Sequence, residues 1–336
     1  MASQLATRGR PAITLVATDG DSAMREAMQR VAARLEQRCG GAGPFRDVVR
    51  HVLARPGKGI RGRLLLACAG LERMPNAMGP DAIDAAAAIE LLHEASLVHD
   101  DICDAASTRR GAASVVAAFG MRTAGLAGAF LAGHALGLLG DVLARRGRPA
   151  ELTRLTALVE GQMLESVPPP VSLRDARRRY ERVVNGKTGA LFRFACEVGV
   201  LLTRLPPSVG ERVDVFARNL ALAFQVLDDV RDLEEPADLG KPAAKDLDCG
   251  IVTWPVLAWL ERESEPTASL RRVTRVPKTV AETEALRRTI RDCGATERAR
   301  DFARGCLAAA REVLDAVPPG WGRQALDAVV VRVGQQ

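Results

Sequence analysis

Asp100-Asp101-Ile102-Cys103-Asp104 decides how this sequence folds, because Asp228-Asp229-Val230-Arg231-Asp232 repeats its spacing. Both stretches close long apolar runs, Ala95-Ser96-Leu97-Val98 before the first and Leu220 to Leu227 before the second. On a helix, residues advance by about 100°, so Asp100 and Asp104 lie about 40° apart and Asp101 falls about 60° from Asp104. His93 shares that face, and Gln225, Asp229 and Asp232 form the matching stripe of the second run, with Asp228 beside it. One acidic triplet reads most simply as a solvated helix end. Two matching triplets on helices apolar on most faces do not, because clustered carboxylates there repel one another and lose hydration. Hard divalent cations offset both costs.

The rest of the sequence is consistent with a helical protein. The chain has 336 residues, 47% hydrophobic and 26% charged, and only 4% aromatic. Alanine, leucine, valine and arginine dominate, which favours helix over sheet. No alternating strand pattern with hairpin turns occurs, no 20–50-residue repeat beyond the paired clusters, and no long linker. One large all-α domain is expected, residues 21–336, behind a loose arm over residues 1–20. Helices are expected at about 21–38, 45–54, 63–71, 80–104, 115–119, 122–146, 149–166, 172–203, 210–232, 252–263, 279–293, 295–316 and 321–333, with loops at 105–114 and 233–249. Pro168-Pro169-Pro170 and Pro206-Pro207 are stops.

Net charge is +6, without a zinc-finger or RNA-binding aromatic signature, so no nucleic-acid partner is expected. The seven cysteines are widely spaced without CxxC, which suits reduced thiols and a cytoplasmic setting. The apolar stretch Ala124 to Leu139 is broken by His134 and reads as a buried, closely packed helix, so no transmembrane segment is expected.

Carboxylates without a companion Cys/His set favour Mg²⁺, with Mn²⁺ as the alternative, and Mg²⁺ held this way usually shares its shell with substrate phosphate oxygens. Basic residues able to meet such an anion are Lys58, Arg61, Arg109, Arg110, Lys187 and Lys241. Four of the chain's five lysines lie in or beside the motif segments. No GxxxxGK[ST] phosphate loop is present.

In order along the chain stand Gly57-Lys58-x-Ile60-Arg61, Glu90-Leu91-Leu92-His93 leading to Asp104, Arg109-Arg110-Gly111, Gly161-Gln162, Gly186-Lys187-Thr188, Phe224-Gln225 leading to Asp232, Gly240-Lys241-Pro242 and Thr253-x-Pro255. In this ordered set the chain resembles the all-trans isoprenyl diphosphate synthases, the polyprenyl synthetase family, over residues 25 to 335. The resemblance implies a helical bundle of the isoprenoid synthase type around a central cavity. It implies a prenyltransferase that condenses isopentenyl diphosphate with an allylic diphosphate by ionisation, condensation and elimination. Asp100, Asp101, Asp104, Asp228, Asp229 and Asp232 would hold Mg²⁺. Lys187, Thr188, Gln225 and Lys241 would be catalytic, with Lys187, Lys241 and Arg109 clamping the allylic diphosphate. Lys58, Arg61, His93 and Arg110 would bind the diphosphate of isopentenyl diphosphate, and Phe224 would lie against substrate. A homodimer is implied, with helix 122–146 as the interface candidate.

Some positions leave the family's usual pattern. Gly59 and Gly62 replace an arginine and a proline of the basic turn, Ala129 an aspartate and Ile251 a lysine, whose charge Lys245 could partly restore. Small residues at Ala95 and Ser96, one turn before Asp100, imply a product of C20 or longer. Two other readings stay open here: a weakened partner or regulatory subunit, favoured by Ala129 and Ile251, and a class I terpene cyclase, disfavoured by the second aspartate cluster.

Overall fold

The computed structural model describes residues 19–39, 45–72, 78–147, 152–234 and 244–335. In chain order the helices are α1 (Asp19–Cys39), α2 (Arg46–Leu53), α3 (Ile60–Ala69), α4 (Pro80–Cys103), α5 (Val115–Phe119), α6 (Met121–Arg146), α7 (Thr153–Ser166), α8 (Leu173–Val184), α9 (Ala190–Leu201), α10 (Pro207–Glu234), α11 (Lys245–Asp248), α12 (Trp254–Leu260), α13 (Pro266–Thr274), α14 (Val280–Asp292), α15 (Ala295–Leu314) and α16 (Trp321–Gly334). Most of the described chain is therefore helix, as the composition indicates.

Helices α4 and α10 are the two inner posts. Pro80 stands at the first turn of α4, where its missing N–H costs nothing. From Ala82 to Leu92 every residue of α4 is buried, as befits a helix apolar on all faces. Helices α1, α3, α6 and α9 pack around it, while α9, α12, α15 and α16 pack around α10. Helix α9, with Phe192 and Phe194 fully buried, touches both posts. The acidic clusters lie at the C-terminal ends of α4 and α10, where the helix dipole adds negative potential and raises the need for cations.

Several local features differ from the sequence expectation, among them the short α11 inside the expected loop 233–249. Residues 105–114 form a small hairpin, β1 (Thr108–Arg109) against β2 (Ala112–Ala113). Its turn residues Arg110 and Gly111 have φ of 49° and 75°, the paired positive values of a type I′ turn. The expected helix over 172–203 is three pieces, because Asn185–Gly189 between α8 and α9 is a π-helical turn. Helix α13 was not expected, although Pro266 starts it and Leu270 and Val273 face inward. Helix α6 is only half buried: Ala124, Ala127, Leu131, Ala135, Leu138 and Val142 lie inward, while Met121, Leu126 and Leu136 are exposed. By length and composition alone α6 could cross a membrane; in the bundle its inner face packs on α4.

Candidate active site

The first cluster divides by burial. Asp101 points inward and is 2% exposed. Arg109, on β1, donates to Asp101 Oδ1 from Nε at 3.0 Å and Nη2 at 2.5 Å. Asp100 is half-buried, and burial raises its pKa against the pull of nearby Lys187. Asp104 is exposed and receives Lys245 Nζ on Oδ2 at 3.3 Å.

The second cluster divides the same way. Asp229 is 3% exposed and accepts from Gln225 Nε2 at 3.0 Å, Tyr180 Oη at 2.7 Å and the Trp254 N–H at 3.1 Å. Burial pushes its pKa up to about 6, against those three donors. Asp228 is exposed, with Arg231 Nη1 at 3.1 Å from Oδ1. Asp232 accepts the Lys245 and Asp246 N–H groups at 3.1 and 3.2 Å, one on each oxygen. Asp246 joins this wall: burial and then Asp232, Asp229, Glu165 and Asp228 drive its pKa well up.

The π turn links the two walls. Gly186 packs directly on Gly161 of α7: a methyl group at Gly186 would lie 2.6 Å from the Ala157 carbonyl oxygen and 2.8 Å from Gly161 Cα. That close approach leaves room for glycine alone at Gly161 and Gly186. The wider turn, of a kind frequent at functional sites, directs Lys187 to Glu165 Oε2 at 2.6 Å. Opposing burial, Glu165 and then Asp100 and Asp104 raise the pKa of Lys187. Thr188, buried, donates its hydroxyl to Gln225 Oε1 at 2.7 Å.

A second basic centre lies one to two turns earlier on α4. Arg110 Nη1 and Nη2 each donate to Glu94 Oε1 at 3.0 Å, and Nη1 also to the Arg55 carbonyl at 2.6 Å. Arg61 stands over the Phe192 ring, its guanidinium carbon 5.2 Å from the centroid, and Phe192 in turn tilts against Phe224. Arg61 Nε is buried without a partner, and burial lowers its pKa to about 10. His93 is held neutral, first by burial and then by Arg61, Arg110 and Arg109. Lys58 is exposed. At the replaced proline, the Gly62 N–H donates to Glu90 Oε1 at 2.6 Å, a bond proline could not make. At the replaced arginine, Gly59 takes φ 62°.

So the structure brings together Asp100, Asp104 and Lys187, places Thr188 on Gln225 beside Asp229, and gathers Arg61, His93 and Arg110 into a neighbouring cluster. Lys241 lies outside the described residues. Ala95 is buried on α4, and the half-buried Ser96 turns its hydroxyl to the His93 carbonyl. Among the described residues no three ligating side chains converge on one point; like carboxylates spread apart and take cationic or N–H partners. Glu94, Glu165, Tyr180 and Phe192 belong to the site but were not singled out from sequence. Glu165 had a signal, four residues after Gly161 on the same helix face.

The model of the polyprenyl synthetase family matches residues 43–291. Component 2 of a heptaprenyl diphosphate synthase from Geobacillus stearothermophilus is 30% identical over 302 residues, covering 88% of this chain and 90% of that protein. A nonaprenyl diphosphate synthase from Mycobacterium tuberculosis is 31% identical over 333 residues, covering 95% and 97%. The solved polyprenyl synthase from Caulobacter crescentus, complexed with calcium and isoprenyl diphosphate, superposes with a TM-score of 0.81 at 26% identity, covering 95% of this chain and 98% of that one. The fold and the site define an all-α prenyl-transferring synthase. This chain belongs to the polyprenyl synthetase family.

Proposed function

We propose that the protein is a divalent-metal-dependent prenyltransferase that extends an allylic diphosphate with isopentenyl diphosphate to a trans-polyprenyl diphosphate of C20 or longer. The observation that carries this reading is the π turn, which sets Lys187 beside Asp100 and Thr188 on Gln225, joining the two acidic walls. Support for the length comes from small Ala95 and Ser96 upstream of Asp100 and from relatives named for heptaprenyl and nonaprenyl products.

All the donors offered by the clusters are carboxylate oxygens, which suits Mg²⁺ or Mn²⁺. Asp100, Asp104, Asp228 and Asp232 are the residues that would hold the ions; Asp101 and Asp229 are turned to Arg109 and to three donors. Bound there, the ions supply positive charge to the leaving diphosphate. Lys187 and Arg109 add fixed cationic donors on the same side. Arg61, Arg110 and neutral His93 bind and orient the second diphosphate, with His93 as a hydrogen-bond donor. Thr188 and Gln225 border the space where the carbons meet, and the buried α4 and α9 side chains keep water from the allylic cation.

A symmetric dimer fits the exposed apolar residues of α6 and of Val159 and Met163 on α7, with Gly133, Gly137 and Gly140 leaving open space on the outer face of α6. Free cysteines alone fit a reducing, cytoplasmic setting. The test is an assay of the purified chain alone with isopentenyl diphosphate, an allylic starter and MgCl₂, with product length read by mass spectrometry. Polyprenyl diphosphate of C20 or longer is expected. A cyclic hydrocarbon, or turnover only after a second subunit is added, would replace this reading.

A further inference from the structure

Lys245 touches both acidic clusters. Its backbone N–H and that of Asp246 sit on the two carboxylate oxygens of Asp232, at 3.1 and 3.2 Å, and the Ala244 N–H bonds the Asp232 carbonyl at 3.2 Å. The root of the side chain is thus pinned to the second wall. Its ammonium reaches across to Asp104 Oδ2 of the first wall at 3.3 Å. The outer pair is half in water, with side-chain exposures of 50% and 41%, so it is weak and exchanges readily. A lysine is suited to such an exchange, being a point charge on a flexible four-carbon stem.

A divalent ion held by Asp104 would displace that ammonium, and a diphosphate bound between the two walls would then be the nearest group in need of positive charge. The same loop supplies no other described lysine there: Ile251, whose N–H closes onto the Asp246 carbonyl at 2.8 Å, is uncharged. We propose that Lys245 is a diphosphate-binding residue, its ammonium neutralising Asp104 in the free protein and turning to a phosphate oxygen when metal and diphosphate enter. This rests on the prenyltransferase reading.

Two binding measurements test it without turnover. Mn²⁺ alone is titrated by electron paramagnetic resonance, and inorganic pyrophosphate in saturating MgCl₂ by calorimetry. Lys245→Ala removes the competitor for Asp104, so Mn²⁺ alone binds as tightly as in the wild type or up to about fivefold tighter. Pyrophosphate binds about tenfold more weakly. Lys245→Arg keeps the charge and stays within about threefold of the wild type for pyrophosphate. Unchanged pyrophosphate affinity in Lys245→Ala overturns the assignment. So does a parallel loss of Mn²⁺ binding, which makes Lys245 a support for Asp104. Wild-type protein that binds no pyrophosphate with metal overturns the prenyltransferase reading instead.

Discussion

Tyr180 donates its hydroxyl to Asp229 Oδ2 across 2.7 Å. Both side chains are buried, and Asp229 takes two further donors from Gln225 and the Trp254 backbone. Three elements, α8, α10 and the start of α12, are thereby tied at one carboxylate. Tyr180→Phe removes one donor to a buried carboxylate, which costs about 1.5–3 kcal/mol. The loss is measured by urea unfolding; a variant within 0.5 kcal/mol, roughly the scatter of neutral surface changes, would show that the carboxylate is adequately held by the other two donors.

Gly186→Ala places a methyl group 2.6 Å from a backbone carbonyl oxygen. Neither α7 nor the π turn can yield cheaply, because the opposed atoms are backbone. Overpacking of this kind costs about 1–3 kcal/mol and moves local backbone. The expected result is a lower melting temperature together with a fall in kcat, because Lys187 and Thr188 follow Gly186 directly. Full activity at normal stability would count against the π turn as the device that aims them.

Gly57→Ala differs in kind. Its methyl group would lie 2.7 Å from Arg110 Nη2, the movable end of a long side chain. Stability should change by less than about 0.5 kcal/mol. Arg110, however, is pushed from Glu94 and the Arg55 carbonyl, so KM for isopentenyl diphosphate should rise about tenfold with kcat less affected. Steady-state kinetics with that substrate varied decides it, and an unchanged KM removes Arg110 from the pocket.

Much of this was legible in the sequence, for physical reasons. Long apolar runs marked α4, with Pro80 as its start, and α10, since period and punctuation are local properties; Pro207, which reads as a stop, instead opens α10. The two acidic clusters were legible because charge in an apolar run is costly and stands out; the roles of the other motif residues came from the family resemblance. Less legible was anything depending on a partner distant in sequence. The division of each cluster into an inward and an outward carboxylate follows from Arg109, Tyr180 and Trp254, which spacing does not reveal. The π turn needs Gly161 opposite Gly186, and a regular helical period over 172–203 hid it. The sequence offers Lys245 only as a partial substitute for the charge missing at Ile251; its contact with Asp104 depends on a residue 141 positions away.

His93 gives the protein a pH dependence with a definite sign. Its folded pKa lies well below the ordinary 6.5, first through burial and then through Arg61, Arg110 and Arg109. The unfolded chain takes up a proton near that value and the folded protein refuses it. Stability is therefore full above about pH 6.5 and is lost as pH falls below it, by up to about 1.4 kcal/mol per pH unit. Burial shifts Glu90 and Glu94 the other way, and both remain in a His93→Asn variant. The difference in urea-unfolding free energy between wild type and variant, from pH 7.5 down to 5.5, isolates the histidine. A difference independent of pH would mean that His93 titrates normally.

Ala95 is 3% exposed on α4, one turn before Asp100, with Leu92 one turn further back and also buried. If the growing prenyl tail runs down this side of the bundle, its length is set where a bulky group first meets it. Ala95→Phe introduces such a group at the top of the path. In a fully packed core the larger ring costs about 1–3 kcal/mol; beside a tunnel it enters the tunnel instead and costs less. The two measurements therefore belong together. The expected outcome is a melting temperature close to the wild type and a product shortened by one or more C5 units, read by mass spectrometry. A destabilised variant with the original product length would place Ala95 in the core, away from the tail, and would shift the search for the length-setting residue to Phe130 and Phe119 around the α5–α6 side of α4.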